Sequence, residues 1–499
     1  MITIFITAVF SLAFSYFICI AFYAPLAFPL LFFLIIITYT FFRGDKNENR
    51  IKILLLISSL AYIASSLIWP KYIALRPPGL PPIGIQRLAN LLAVSSFAFA
   101  MFCSNWFKKE IANSFNKAKA FWFFLGVLVF FRFASVFVST MPYNSLYIFM
   151  SDLFVHWFFI FIGVFIGSSH RNFMLFSKTI AFCFFINFFF VVAEFVLGTN
   201  PFFQFVNTSD PNLSWIMLDK TRGGLYRAQS VFTHPISFAE FSSVGFCFAI
   251  FVLSRIKNTI WRYTAIFSAT SCVSAMVILS GSRSGYVASA IAISLAAFSP
   301  LANSLIRKQM DLKTTTLWSF LIIVAAIAVS ILGILVYDYT FGKHTSASTA
   351  YSDTARLIML DRTFDKLIES PIVGHGVASA AELVGVEVHH SRASSSGFTV
   401  DCLFISYAVE SGPFAVISFI ALLIIGAFKA FRASFYGKKE NWFMLYTIGL
   451  SIIAFTLFKI ILSLTDNNFL LFVILGISVS EIVQNSIKQR NIRGARHAL

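Results

Sequence analysis

The chain has 499 residues, of which 58% are hydrophobic and only 12% are charged, and its mean hydropathy is +0.82. This composition excludes a soluble domain of this length and predicts a membrane protein with many spans. The net charge of +17 does not indicate nucleic-acid binding, because the basic residues stand in short clusters between apolar runs, where they act as anchors of cytoplasmic loops.

About fourteen apolar runs are long enough to cross the hydrocarbon core as helices. Two tight pairs of runs can each form one span or two, so the predicted fold class is an all-α polytopic membrane protein with about 12–14 transmembrane helices. We read the first run as a span and not as a removed signal peptide, because it has no basic start and no small-residue cleavage site. The runs are 2–22, 24–42, 51–69, 87–107, 120–139, 147–167, 177–198, 236–254, 263–280, 285–300, 317–338, 403–428, 441–463 and 467–485.

Lys and Arg gather in one set of alternate loops and in the C-terminal tail, which predicts that both termini are cytoplasmic. The opposite face then receives the longest hydrophilic stretch, Tyr339–Asp401, which lies between two late spans. We interpret it as an external loop that covers a site open to that face. The chain is thus divided into residues 1–338, with external loops 201–235 and 281–285, the large loop 339–401, and the C-terminal helices and basic tail 402–499.

Charged side chains inside spans are costly and mark functional sites by default. Here they share an outer location, which predicts a cavity open only to the outside. The alternative is that Arg132–Asp152 and Glu410–Lys459 are ion pairs that only lock helices together. The candidate cavity-lining residues are Arg132, Asp152, His156, Glu240, Glu410 and Lys459, and Glu194 ends the seventh span.

Three polar motifs stand out. A basic, Gly-containing loop runs from Arg222 through Arg227 to a helix start near Pro235, and a tight Ser-Gly-Ser-Arg283-Ser-Gly turn joins two spans. Guanidinium groups, hydroxyls and free backbone N–H groups at helix starts are what a phosphate group needs. The third motif comprises Arg356, a Pro-Ile-Val-Gly-His-Gly segment, and Asp401 followed by Glu410-Ser-Gly. The cysteines show no metal-ligand spacing, so no metal is expected.

The order of these motifs over about 222–412 resembles the O-antigen ligase and O-antigen polymerase superfamily of bacterial membrane glycosyltransferases, whose fold is of the C type. The resemblance implies action at the periplasmic side on undecaprenyl-diphosphate-linked glycans, without a metal. It also implies that Arg283 and Arg356 grip the donor diphosphate, assisted by Arg227 or Arg222. The ligase branch has a catalytic His nine residues before the Glu of its Glu-x-Gly element; here that position is Asp401, which favours the polymerase branch. The base is therefore Asp401, His390 or His389.

The expected function is a polymerase that joins lipid-linked repeat units of O-antigen or a similar surface polysaccharide. The alternatives are a ligase that moves the glycan to lipid A core or protein and, less favoured, a transporter of the same lipid-linked units. We expect no cofactor. The expected partners are the undecaprenyl-diphosphate-linked oligosaccharide, membrane lipid and a co-polymerase that regulates chain length, but no nucleic acid. The expected location is the bacterial inner membrane.

Overall fold

The computed structural model describes residues 48–74, 84–206, 221–222, 225–307, 354–388, 397–436, 441–480 and 482–483. The predicted spans 2–22, 24–42 and 317–338 lie outside the described residues, as do His389 and His390. Every other predicted span overlaps a helix. Within the described residues, nine helices are long and apolar enough to cross a membrane. The prediction of an all-α polytopic membrane protein is confirmed.

Helices dominate the described part of the chain. In chain order, the elements are α1 Glu48–Ile68, α2 Ile85–Cys103, α3 Asn105–Lys117, α4 Lys119–Val136, α5 Pro142–Ser151, a π-helix Asp152–Trp157, α6 Phe159–Ile166, α7 His170–Leu197, a 3-10 turn Phe203–Phe205, β1 Thr221–Arg222, β2 Leu225–Tyr226, α8 Pro235–Leu253, α9 Thr259–Ser280, α10 Arg283–Arg307, α11 354–369, α12 Ala380–Val384, β3 Val386–Val388, β4 Gly397–Thr399, α13 Leu403–Tyr436, α14 Trp442–Lys459 and α15 Asn468–Ser478. The strands form two short antiparallel hairpins, β1–β2 and β3–β4.

Local sequence signals explain where several helices begin. Ser104 starts α3 by accepting a hydrogen bond from Phe107 N at 3.2 Å, and Pro235 occupies the first turn of α8, where its missing N–H costs nothing. Helix α3 was not predicted, because its basic residues were assigned to a loop. Its buried Phe107 and Ile111 are one turn apart, so one face packs on the core.

The helices enclose a core that is rich in buried phenylalanine. Helix α8 lies at its centre, where it packs against α7, α9 and α14. Helices α6 and α15 cross at two glycines: a Cβ added at Gly163 would lie 2.0 Å from Val473 O, and one added at Gly476 would lie 2.0 Å from Ile160 O. Only glycine allows the two backbones to approach so closely.

We expect Gly163→Val to lower the free energy of unfolding by about 1–3 kcal/mol or more, because the new side chain must push against the backbone of α15. Thermal unfolding in detergent, followed by size-exclusion elution, measures the change. Gly126→Val is the matched control, because a Cβ there meets nothing within 4 Å. Equal melting temperatures for the two variants would contradict this account of the helix crossing.

Candidate active site

The loop that carries Arg227 lies directly on the turn that carries Arg283. Arg227 Nε donates a hydrogen bond to Ser280 O at 2.9 Å, and Ala228 N donates to Leu279 O at 2.9 Å. Gly281 ends α9 in the left-handed conformation, with φ of 57°, and a Cβ there would meet the Arg227 side chain at 3.2 Å. Two of the sequence motifs therefore form one structural unit.

The turn is itself held by its serines. Ser282 Oγ accepts a hydrogen bond from Gly285 N at 3.2 Å and lies 3.0 Å from Ser284 Oγ, which fixes the first turn of α10. A Cβ on Gly285 would lie 2.9 Å from Val277 of α9 and 3.0 Å from Ala239 of α8. Arg283 is thus the first residue of α10, at a tight junction of three helices.

Glu194, at the end of α7, anchors the Arg227 loop from the other side. Its carboxylate is fully buried and accepts hydrogen bonds from Ser230 N at 2.6 Å, Gln229 N at 3.0 Å and Tyr226 Oη at 2.6 Å. Ser230 has a φ of 54°, and its N–H group and that of Gln229 both point at the carboxylate. Sequence reasoning counted Glu194 among the outer charges that indicate a cavity but did not connect it to the Arg227 loop, because no local pattern pairs it with residues 32 to 36 positions later.

Arg356 and Asp401 come together at the point where the large loop enters α13. Their Nη2 and Oδ2 atoms are 3.9 Å apart, and the side chains are 41% and 43% exposed. Partial burial raises the pKa of Asp401 above its usual value, and the positive charge of Arg356 opposes that rise. Arg222 lies in β1.

The loop segment around His375 is bound to a break in α13. Gly412 has a φ of 79° inside the helix, and Pro413 has no N–H to donate to Val409 O. His375 N donates to that carbonyl at 2.9 Å, and Gly376 N donates to Glu410 O at 3.0 Å. The Gly-His-Gly segment therefore takes the place of the missing intrahelical hydrogen bonds.

Arg132 is the centre of a buried charge cluster beneath this break. Its guanidinium donates to Asp152 Oδ2 at 2.5 Å and to Glu410 Oε2 at 2.6 Å, and it stacks on the ring of Tyr407 at 4.5 Å. His156 Nδ1 lies 3.1 Å from the other Asp152 oxygen, across the π-helical turn. The predicted Arg132–Asp152 pair is therefore present, with a second carboxylate added.

A second buried pair joins α8 to α14. Lys459 Nζ lies 2.9 Å from Glu240 Oε1, both side chains have no solvent exposure, and Asn467 donates to the other Glu240 oxygen at 2.9 Å. The suggested Glu410–Lys459 pair was wrong, because the fold places Glu410 beside α4 and Lys459 beside α8. All six charged residues predicted to line a cavity are at most 9% exposed, and their lining role stays a prediction.

Asp466 ties the start of α8 to the segment after α1, a role that sequence reasoning missed. It accepts hydrogen bonds from Thr233 Oγ1 at 2.5 Å and from Lys71 Nζ at 3.2 Å. Burial acts to raise the pKa of Asp466, but the Lys71 charge and the hydrogen bonds outweigh it and lower the pKa. The sequence feature that could have indicated this role is a carboxylate in a short polar turn between two spans.

We expect Lys459→Met to lower the free energy of unfolding by about 3–5 kcal/mol, because it leaves the buried Glu240 carboxylate without its cation. The double variant Lys459→Met with Glu240→Gln should regain most of that loss, since neither buried charge remains. Thermal unfolding of the purified protein in detergent makes the comparison. If the single variant is as stable as the wild type, or the double variant no better than the single one, the two residues are not energetically coupled.

Comparison with known proteins adds one match. Residues 267–420 match a family model described as O-antigen ligase, and a search of the curated proteins finds no match. The matched region contains the Arg283 turn, Arg356, Asp401 and the α13 break. Residues 267–420 are thus similar to the O-antigen ligase family, and this match supports the resemblance of the protein to the O-antigen ligase and polymerase superfamily.

Proposed function

We propose that the protein is a polymerase that joins undecaprenyl-diphosphate-linked oligosaccharide repeat units into O-antigen or a similar surface polysaccharide. The observation that carries the proposal is the contact of Arg356 with Asp401, inside the region that matches the family. In this contact, a cation that can stabilise a leaving diphosphate lies beside a carboxylate that can take a proton. This position belongs to a His in the ligase branch, and the carboxylate here favours the polymerase.

In the proposed reaction, an acceptor hydroxyl attacks the anomeric carbon of the donor sugar. The bond to the diphosphate oxygen breaks, and the lipid diphosphate leaves with the bonding electrons. Arg283 and Arg356, assisted by Arg227 or Arg222, stabilise the charge that develops on the departing phosphates. Asp401 takes the acceptor proton, with His390 or His389 as the alternative base. The proposed reaction uses no metal ion.

We place this site at the periplasmic face of the inner membrane and both termini in the cytoplasm, on the distribution of Lys and Arg. A co-polymerase that regulates chain length is the proposed protein partner. The leading alternative is a ligase that transfers the glycan to lipid A core or protein. A transporter of lipid-linked units is less favoured, because Arg132 and Lys459 are both committed to buried carboxylates and are not available along a path for a diphosphate.

The glycan phenotype of a deletion strain tests the proposal. A polymerase deletion should leave lipid A core that carries a single repeat unit, since ligation still occurs. Core without any repeat unit, with polymer still on the lipid carrier, would assign the ligase reaction. Unchanged polymer would reject both activities.

We expect Arg283→Ala and Arg356→Ala each to reduce polymer about 100-fold or more at normal protein levels, because each removes charge stabilisation from the transition state. Lysine should rescue poorly at either position, since a point charge cannot make bidentate contacts with a phosphate. Lys366→Ala is the control on α11, because Lys366 pairs with the exposed Glu369. A normal amount of polymer from Arg283→Ala would show that the turn at the start of α10 is not part of the diphosphate site.

If Asp401 is the base, Asp401→Asn should lose nearly all activity and still bind the lipid-linked donor. Activity should then fall on acidification through a pKa above that of an ordinary aspartate, because the base must be ionised. The variant Arg356→Lys keeps a cation beside Asp401. Its residual activity should therefore fall over the same acidic pH range as the activity of the wild type.

The control is the double variant His389→Ala with His390→Ala, which should keep most of the activity. If a His is the base, the order of the two variants reverses, and activity falls as the pH drops through about 6.5. Full activity of both variants would mean that neither group is an essential base.

A further inference from the structure

Helix α11 (354–369) presents three different faces. The first is buried against the protein and holds Ala355, Met359 and Thr363, with exposures of 6%, 2% and 4%. These positions are four residues apart, so they form one stripe along the helix. Asp361, Asp365 and Glu369 form a second, charged stripe with the same spacing and are exposed.

The third face is apolar and exposed. Leu357, Leu360, Phe364 and Ile368 are spaced by three, four and four residues, and their exposures are 69%, 44%, 60% and 79%. This spacing places all four on one side of the helix. A continuous stripe of large apolar side chains on a loop helix needs a nonaqueous neighbour.

The apolar face leads directly to the surface of a membrane span. Three residues after the helix ends, Ile372 is 56% exposed, and its carbonyl lies against the break in α13, 2.3 Å from where a Cβ on Gly412 would stand. Just beyond that break, Phe414 and Ile417 of α13 are 46% and 57% exposed. The end of α11 is therefore fixed at the depth where the exposed apolar surface of α13 begins.

A neighbouring turn marks the same depth with tyrosines. Ser145 Oγ of α5 donates to Val377 O at 2.7 Å, which ties α5 to the segment that follows α11. Tyr143 and Tyr147 on α5 are 89% and 65% exposed. Tyrosine is enriched where a membrane meets water, because its ring is apolar and its hydroxyl is polar.

We propose that α11 is an interfacial helix, which lies in the membrane surface with Leu357, Leu360, Phe364 and Ile368 in the lipid. Its charged stripe then faces the headgroups and water, and the buried stripe joins it to the rest of the protein. A helix with such faces lies roughly 5–10 Å into the boundary between headgroups and acyl chains. The occupant is membrane phospholipid, since the exposed stripe continues into the surface of a membrane-spanning helix.

This docking has a consequence for Arg356, which lies on the same helix and is half-buried. Attachment of α11 to the lipid surface holds the guanidinium at headgroup depth, where the diphosphate of a lipid-linked substrate also lies. That consequence rests on the proposed function, whereas the lipid contact of α11 does not.

The test replaces one residue at a time by a genetically encoded, environment-sensitive fluorescent amino acid, in the full-length protein in phospholipid nanodiscs. Phe364 and Asp365 are the matched pair, because they are adjacent in sequence and lie on the apolar and charged faces. Lipids brominated on the acyl chain near the headgroup should quench the probe at 364 about twofold or more relative to the probe at 365. Iodide in the buffer should quench in the reverse order.

Equal quenching by brominated lipid at the two positions would overturn the proposal. A second outcome would also overturn it: iodide quenches the probe at 364 in nanodiscs but not in native membranes. That result would mean that a protein partner covers the apolar face. Each labelled protein is first shown to elute as the wild type does, and Ile368 with Glu369 supplies a second pair. Since the readout is fluorescence, failure here is separate from failure of the deletion-strain test of polymerase function.

Discussion

The break in α13 at Gly412 and Pro413 is the constraint on which the rest of the candidate site depends. Proline cannot donate to the carbonyl of Val409, and the glycine turns the chain out of helical geometry, so two carbonyls inside a membrane-embedded helix lose their partners. An unsatisfied carbonyl is costly in this environment. The backbone N–H groups of His375 and Gly376 satisfy both, which binds the loop segment around His375 to the membrane domain by main-chain contacts.

The side chain of Glu410 extends the same connection inward. It holds Arg132 of α4, which holds Asp152, so the helix break, the loop and the π-helical turn are linked through one guanidinium. Asp401 lies at the start of the same helix and faces Arg356 of α11. The Glu-Ser-Gly element is thus explained by structure: its glutamate holds a cation, and its glycine allows the loop to approach.

The sequence predicted what depends on composition and local pattern. Apolar length located the described spans, and Gly281 located the turn between α9 and α10. It could not predict which helices are neighbours, because pairing of buried charges depends on packing of distant segments; Lys459 was matched with Glu410 for that reason. It also missed α11 as a helix with its own apolar stripe, since charged residues interrupt that stripe in the linear sequence. The placing of Glu194 against the Arg227 loop likewise depends on a contact between distant segments.

The π-helical turn Asp152–Trp157 acts as a built-in register shift. Its wider hydrogen bond, from Phe158 N to Leu153 O, accommodates one residue more than an α-helical turn and rotates all that follows by about 100° relative to a regular helix. Asp152 lies before that shift and Gly163 after it. One continuous α-helix could not aim the carboxylate at Arg132 and also turn the glycine toward α15. The extra residue lets a single span satisfy two neighbours whose directions do not fit one helical period.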